Sequence, residues 1–186
     1  MQRTICCICQ ANPASAPRPA DISQVFIGYA DNSAQLLGLS IESRPCAALV
    51  ALPAGHRLAD KRLIEPMDFA GERFIALEPG SFGAMRIDVA LAGVPRLSLI
   101  EARLSYTALT LVAQGAGVCI LDPAAYLDFI GKGVVIRPFS VFIDAGFSVF
   151  EQAQRRSSLV RVLKQQFWAF YEQELASLEP ISALGP

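Results

Sequence analysis

The chain has 186 residues, of which 53% are hydrophobic and 18% are charged, and its formal net charge is −1. This composition suffices for a packed core and argues against intrinsic disorder. The charge balance provides no global basic surface for nucleic acid, and no apolar run reaches the roughly 20 residues of a membrane helix. The length fits one domain or two small lobes.

The N-terminal segment contains three of the five cysteines, followed by a run of Pro, Ala and Ser that favours neither helix nor strand. Residues 1–20 are therefore interpreted as a disordered leader. Cys6, Cys7 and Cys9 lack a fourth ligand at a spacing typical of zinc sites, and His56 is the only histidine. The sequence predicts no metal site, and the apolar stretch beside these cysteines is too short for a secretory signal.

Two strands are predicted before residue 53. Residues 22–30 and residues 47–52 are apolar runs rich in strand-forming residues. Glycine and small polar residues between them predict a loop at 31–40. His56, which follows a glycine in a turn, is interpreted as a structural hydrogen-bonding residue, because no G-x-S-x-G or comparable nucleophile motif accompanies it.

The next elements alternate between strand and helix, with strands at 74–77 and 97–102 and a helix that ends near Leu91. Gly80 and Ser81 lie in the loop between the first of these strands and the helix. Such a loop presents backbone N–H groups and a positive helix end, which suit a carboxylate or another small anion. Ser81 could instead serve only as the helix cap, and the two roles are compatible.

The stretch from Ser105 to Pro123 predicts a helix that leads into a buried strand. Ser105 is a suitable N-cap, and the apolar stripe comprises Leu104, Ala108, Leu111 and Val112. Gly115 can end the helix in the left-handed conformation. Residues 118–121 are apolar without polar alternation, as in a strand covered on both faces. The glycines close a helix and open a strand, the reverse of a dinucleotide-binding loop, so no cofactor is predicted.

The C-terminal part predicts two short strands, at 134–139 and 147–150, and a long last helix. The apolar stripe of this helix is wide and comprises Leu159, Val160, Leu163, Phe167, Trp168, Phe170 and Tyr171. Its basic residues are interpreted as a solvated face, because no recognition helix accompanies them. Cys46 and Cys119 lie in apolar stretches, so we expect reduced thiols without a disulfide, with Cys119 buried and inert.

Two blocks, in this order, resemble the ligand-binding (co-inducer) domain of the LysR-type transcriptional regulators. The first is LVALPAGHRLADKRLIEPMDFAGERFIAL at residues 49–77, and the second is the helix with LVAQGAGVCILDP at residues 111–123. The first block matches the family's order and spacing at Gly55, His56, Leu58, Ala59, Asp68, Gly71, Phe74 and Ile75. The resemblance covers roughly residues 21–173 and implies an α/β fold of the type II periplasmic-binding-protein kind, with two lobes.

The resemblance also implies that the first lobe is incomplete, because its first strand, first helix and second strand would precede Ile22. The expected division is a disordered leader at 1–20, partial lobe one at 21–52, lobe two at 53–122, the return to lobe one with the C-terminal helix at 123–176, and a tail at 177–186. We therefore expect an ordered lobe two, mobile or mispaired residues 1–52, and irregular association of the isolated chain through exposed strand edges.

The function that the resemblance implies is sensing of a small, anionic effector within a cytoplasmic transcriptional regulator, by closure of two lobes. The expected ligand-binding residues are Gly80, Ser81, Ser105, Tyr106 and Thr107, with no catalytic residue. Gly80, Ser81 and Ser105 should face the cleft, because ligands of open α/β sheets bind beyond the carboxyl ends of strands. A homo-oligomer through the lobes is compatible with this function.

Direct DNA binding by this chain is not expected, because the family's helix-turn-helix has no counterpart in the sequence. A membrane partner is not expected either, because no apolar run is long enough for a membrane helix. Two alternatives stay open. A periplasmic solute-binding protein has the same architecture but requires an exported N-terminus. An enzyme on this fold ranks last, because no nucleophile, base and orienting group cluster in the sequence.

Overall fold

A computed structural model describes residues 8–9, 25–28, 39–152 and 158–178. The elements in chain order are β1 (Ile8–Cys9), β2 (Val25–Gly28), β3 (Leu39–Ser43), β4 (Leu49–Pro53), a 3-10 helix (Pro66–Phe69), β5 (Arg73–Leu77), α1 (Phe82–Ala90), β6 (Leu97–Ala102), α2 (Ser105–Ala113), β7 (Cys119–Leu121), α3 (Pro123–Tyr126), a second 3-10 helix (Leu127–Phe129), β8 (Val134–Pro138), β9 (Ser148–Gln152) and α4 (Ser158–Ala176).

The first sheet has the strand order β1-β2-β9-β3. Strand β9 is antiparallel to both β2 and β3, whereas β1 runs parallel to β2. One face is covered by the amphipathic helix α4, and the buried cluster between them consists of Ile27, Val149, Val160, Trp168 and Tyr171. The late strand β9 thus joins the early strands β2 and β3 into one sheet.

The second sheet is built around β4, which pairs antiparallel with β7 on one side and β8 on the other. The parallel pair β5–β6 extends it, because Ile75 N–H donates to the Val118 carbonyl at 2.8 Å and Val118 N–H donates to the Arg73 carbonyl at 2.9 Å. At Gly117 any Cβ would clash with the Arg73 carbonyl oxygen. Glycine is therefore required where β7 approaches β5.

The central strands of the second sheet are buried on both faces. Val50 and Leu52 of β4 contact the core on the α1 side, whereas Leu49 and Ala51 contact the core on the α2 side. Residues 118–121 alternate in the same way and are at most 2% exposed. The predicted doubly covered strand after Gly117 is confirmed, as is the burial of Cys119.

Two chain segments, residues 44–48 and 139–147, connect the sheets and run antiparallel to each other. Backbone bonds join them from Arg44 N–H to the Phe147 carbonyl at 3.0 Å and from Ala145 N–H to the Cys46 carbonyl at 2.8 Å. The Asp144 carboxylate accepts from the N–H groups of Cys46 and Gly146. These segments, which we call the crossings, are the covalent links between the two sheets.

The pairing corrects the expected lobe boundaries. Strand β4 was expected in lobe one, but it is the central strand of the sheet that also contains β5, β6 and β7. The chain was expected to return to lobe one after residue 122, but α3 leads into β8, which pairs with β4 in the second sheet. The return to the first sheet therefore comes later than expected. The physical reason is that neighbours in a sheet are chosen by long-range packing, which strand-like runs in the sequence do not encode.

Several terminal expectations also change. Ile8–Cys9 of the expected leader pair with Ile27 and Gly28, and the rest of residues 1–20 lie outside the described residues. Leu178 of the expected tail is 7% exposed in the α2-side core, and residues 179–186 lie outside the described range. The loop expected at 31–40 gives way to β3 at Leu39, and residues 31–38 are not among those described. Mispairing is not observed for β2 and β3, because both align with β9.

Two predicted apolar stripes are partly wrong. In α2 the buried residues are Ala108, Leu109 and Val112, whereas Leu104 precedes the helix and is exposed. In α4, Leu159 and Phe170 face solvent instead of the core. Among the described residues, no helix combines the length and apolar character needed to cross a bilayer.

Candidate functional site

One edge of the second sheet brings the predicted site residues together. The parallel strands β5 and β6 end there at Leu77 and Ala102. Strand β7 is bridged in parallel to β5 and ends there as well, where Leu121 pairs with Leu49 beside the first crossing. The loops that start α1 and α2 therefore lie at the same edge, next to the crossings that lead to the first sheet.

Gly80 and Ser81 lie at the start of α1. Gly80 has φ +84°, a conformation that favours glycine. Ser81 is the N-cap, and its hydroxyl accepts from Ala84 N–H at 3.2 Å. The Ser81 N–H donates to the Glu78 carbonyl, and the residue is 6% exposed. The capping role is therefore observed, and a ligand-binding role for Ser81 stays a prediction.

Ser105 differs from its expected role, because the N-cap of α2 is Leu104, which has no side-chain capping bond. The Ser105 hydroxyl instead donates to Asp122 Oδ2 at 3.0 Å. Asp122 Oδ1 accepts from Ala125 N–H at 2.9 Å and so caps α3. The serine is thus the first helical residue of α2 and is tied to the end of β7.

Tyr106 and Thr107 occupy the first turn of α2 and are exposed. The Tyr106 ring packs edge-on against Phe129, with centroids 5.0 Å apart. Its side chain therefore contributes to packing against the segment after α3. The N–H groups of both residues lie in the first helical turn, where no carbonyl of the helix itself can accept from them.

The predicted residues share an edge but not a face of the sheet. Helix α1 packs on one face through Ala84 and Ile87, whereas α2 packs on the other through Ala108 and Val112. Two helix N-termini thus flank the ends of β5, β6 and β7 from opposite sides. The expectation that Ser81 and Ser105 both face a cleft stays a prediction.

Asp122 is the polar residue of this edge that the sequence prediction left out. It is 6% exposed, and its charge acts together with burial on the titrating groups around it. Burial raises the pKa of the Cys119 thiol, and the Asp122 carboxylate adds to this rise. Burial also raises the pKa of the Tyr171 hydroxyl, with Cys46 and Asp122 acting in the same direction. The sequence could have revealed the capping role of Asp122, because an aspartate directly before a proline is typical of a helix N-cap.

His56 is a structural hydrogen-bonding residue, as predicted. Its Nδ1 accepts from Leu58 N–H at 3.3 Å, so the proton of the neutral ring lies on Nε2. Nε2 lies 3.2 Å from Glu72, which also pairs with Arg57. Within the described ranges no three His, Cys, Asp or Glu residues are grouped as metal ligands, and Cys46 and Cys119 are free thiols. Cys6 and Cys7 fall outside those ranges.

The sequence matches the family described as the LysR substrate binding domain over residues 44–173. The chain therefore belongs to this family. It is 41% identical over 157 residues to the octopine catabolism/uptake operon regulatory protein OccR of Rhizobium meliloti, covering 84% of this chain. The match covers 52% of OccR, so the chain spans about half the length of that curated relative.

Solved structures of LysR regulators share the fold. The CcmR regulatory domain of Synechocystis in complex with 2-PG aligns with a TM-score of 0.64 at 16% identity, covering 90% of this chain and 79% of that one. The BenM effector-binding domain with benzoate aligns with a TM-score of 0.59 at 18% identity, covering 87% and 75%. This LysR domain therefore has the periplasmic-binding-protein-like fold. Its relative OccR is a regulatory protein, and these comparisons do not favour a periplasmic solute-binding protein.

Proposed function

We propose that this LysR domain binds a small organic anion at the sheet edge where α1 and α2 begin. The observation that supports the proposal most is the convergence of two helix N-termini on the carboxyl ends of β5, β6 and β7. Helix N-termini favour carboxylates through their N–H groups and the helix dipole. The proposed contacts come from Gly80, Ser81, Ser105, Tyr106 and Thr107.

The relatives support a small-molecule effector. The name of OccR links it to octopine catabolism and uptake, BenM was solved with its effector benzoate, and CcmR was solved with 2-PG. By analogy, the effector of this chain would shift the relative position of the two sheets about the crossings at 44–48 and 139–147. In a complete regulator this shift would alter transcription. We propose a cytoplasmic, non-enzymatic role.

A binding assay on the 186-residue chain tests the proposal. The probes are octopine, benzoate and 2-PG, measured by calorimetry and by the shift in melting temperature. We expect at least one of them to bind and to raise the melting temperature, because a ligand that binds only the folded state stabilises it. Failure of every probe to bind would contradict the proposal for this chain.

A matched pair of variants tests where the anion binds. Thr107→Glu adds a negative charge to the first turn of α2, and Thr110→Glu adds the same charge one turn later; both positions are exposed. The first change should weaken binding of an anion about tenfold while leaving stability equal or slightly higher, because carboxylates stabilise helix N-termini. The second should have a smaller effect on binding. Equal effects of both variants would argue against a site at this helix end.

We also propose that copies of the chain associate through the lobes. Among the described strands of the second sheet, β6 and β8 lie at the two edges. Helix α1, which precedes β6 in the chain, exposes Met85 and Val89, which lie four residues apart and therefore on one side of the helix. Sedimentation of the wild-type chain and of Val89→Lys tests this, with a loss of association expected in the variant.

A further inference from the structure

The outer side of α4 carries little charge. Helix α4 packs on the first sheet through Val160, Trp168 and Tyr171, and among the exposed residues of this fully described helix only Arg161 and Glu172 are charged. A helix surface that stays in contact with water normally carries many charged residues. The composition of this surface therefore favours one that is covered in the assembled protein.

The exposed apolar side chains of α4 lie close together on its outer side. Leu159, Val162 and Phe170 are 58%, 50% and 62% exposed, and they follow one another after three and eight residues, close to whole helical turns. Gln166 and Ala169, which lie between them, are also exposed and uncharged. These five residues, which we call the α4 face, form a surface against which another helix can pack.

The two charges beside the α4 face are arranged for a second copy of the same helix. Arg161 and Glu172 are eleven residues apart, which is about three helical turns, so they lie on the same side of α4. In an antiparallel pair with a two-fold axis near Gln166, Arg161 of each copy faces Glu172 of the other, and every contact occurs twice. A parallel pair would instead bring like charges together, which is unfavourable.

We propose that α4 is an interface between two copies of this chain, which meet as an antiparallel helix pair. Phe170 of each copy then packs beside Leu163 of the other, at the side of the α4 face away from the charges. Glu172 Oε1 already accepts from Arg44 Nε at 3.1 Å within its own chain. The Glu172 side chain is 61% exposed, and a carboxylate can accept from a second guanidinium as well.

This contact differs from the proposed association through α1, because α4 covers the first sheet whereas α1 packs on the second. One pair of helices is small for a protein interface, so the contact should be weak. We expect a dissociation constant of about 10–100 μM. At the low micromolar concentrations used for denaturation, the chain should therefore be mostly separated at this interface.

Reversing the charges tests the pairing. Arg161→Glu places acidic side chains opposite each other at both ends of the pair and should weaken association about tenfold or more. Adding Glu172→Arg restores opposite charges and should return the dissociation constant to within about threefold of the wild type. Arg62→Glu makes the same change of charge at an exposed position outside α4 and should leave association unchanged. Sedimentation velocity of the full chain over a range of concentrations measures each effect.

The outcomes separate this contact from the one through α1. Val89→Lys should remove the α1 contact and leave a dimer held by α4, and adding Arg161→Glu should then give a monomer. A Val89→Lys chain that is already monomeric at about 200 μM overturns the α4 pair and leaves the α1 contact standing.

Two further results also overturn the inference. One is an equal effect of Arg161→Glu and Arg62→Glu on association of the wild-type chain. The other is a folded double variant, Arg161→Glu with Glu172→Arg, that associates no better than Arg161→Glu alone. Circular dichroism shows whether each variant folds, and the comparison of the two single arginine variants decides if the double variant does not.

Discussion

Gly146 lies in the second crossing, directly against the backbone of the first. A Cβ at this position would clash with the Arg44 carbonyl oxygen and lie 2.8 Å from the Cys46 nitrogen. Gly146→Ala should therefore lower the free energy of unfolding by about 3 kcal/mol or prevent folding, because two backbones must separate. Urea denaturation followed by circular dichroism measures the change.

The matched control is Gly55→Ala, since a Cβ there has no heavy atom within 4 Å. This variant should unfold within about 0.5 kcal/mol of the wild type. A Gly146→Ala chain as stable as Gly55→Ala would show that the crossings do not approach each other as described.

Cys119 provides a pH-dependent prediction. Burial raises the pKa of its thiol in the folded chain, so the folded state keeps a proton that the unfolded state loses above about pH 8.5. The stability that this group contributes is fully present below that pH and is lost as pH rises, at up to about 1.4 kcal/mol per pH unit. Denaturation between pH 7 and 10 should show a steeper decline in the wild type than in Cys119→Ala. Parallel declines would contradict the burial of this thiol.

For Ser105, the sequence predicted the position in the fold but not the partner of the hydroxyl group. Its position at the start of a helix was predictable from the apolar period that follows. Its hydroxyl was assigned to the helix cap, but a buried carboxylate 17 residues later competes for it. Such a pairing depends on the fold, so the local sequence predicted the helix and missed the Ser105–Asp122 contact.

Helix α4 packs on one face of the first sheet and buries its side chains there. Trp168 is 5% exposed, and the Arg44 guanidinium lies 4.9 Å from the centre of its ring. Trp168→Ala should cost about 3–5 kcal/mol, the usual effect of removing a buried aromatic side chain. Phe170→Ala, two residues along the same helix and 62% exposed, should cost less than about 0.5 kcal/mol. Thermal denaturation of the two variants compares them, and similar losses would contradict the orientation of α4.

At the scale of elements, strands and helices were predicted well where the sequence has a clear apolar run or period. Strand β6 has the predicted bounds, Leu97–Ala102, and β7 lies within the predicted doubly covered run. Strand β3 was missed, because Leu39 and Ser40 fell in the predicted loop and the rest of the strand lacks an apolar run of its own. Helix α4 was predicted, and most of its predicted apolar stripe packs against the first sheet, whereas Leu159 and Phe170 face solvent.

At the scale of the whole molecule, the fold class and the family followed from two sequence blocks, whereas the division into sheets did not. The sequence of β4 predicts a strand but does not show which sheet the strand joins. Its long-range pairing with β7 and β8 places it in the second sheet. The candidate site shows the same limit. Helix starts at residues 81 and 105 were predictable, and their meeting at one sheet edge follows from strand order.

The central claim is that an effector binds at the edge where α1 and α2 begin. Hydrogen exchange of the full chain, with and without a saturating amount of the acid that binds most tightly in calorimetry, tests it most directly. We predict slower exchange, by about tenfold or more, at residues 80–85 and 105–109, since bound N–H groups exchange only after the ligand leaves. Protection at the opposite edge instead, at residues 54–57 and 130–133, would contradict the account.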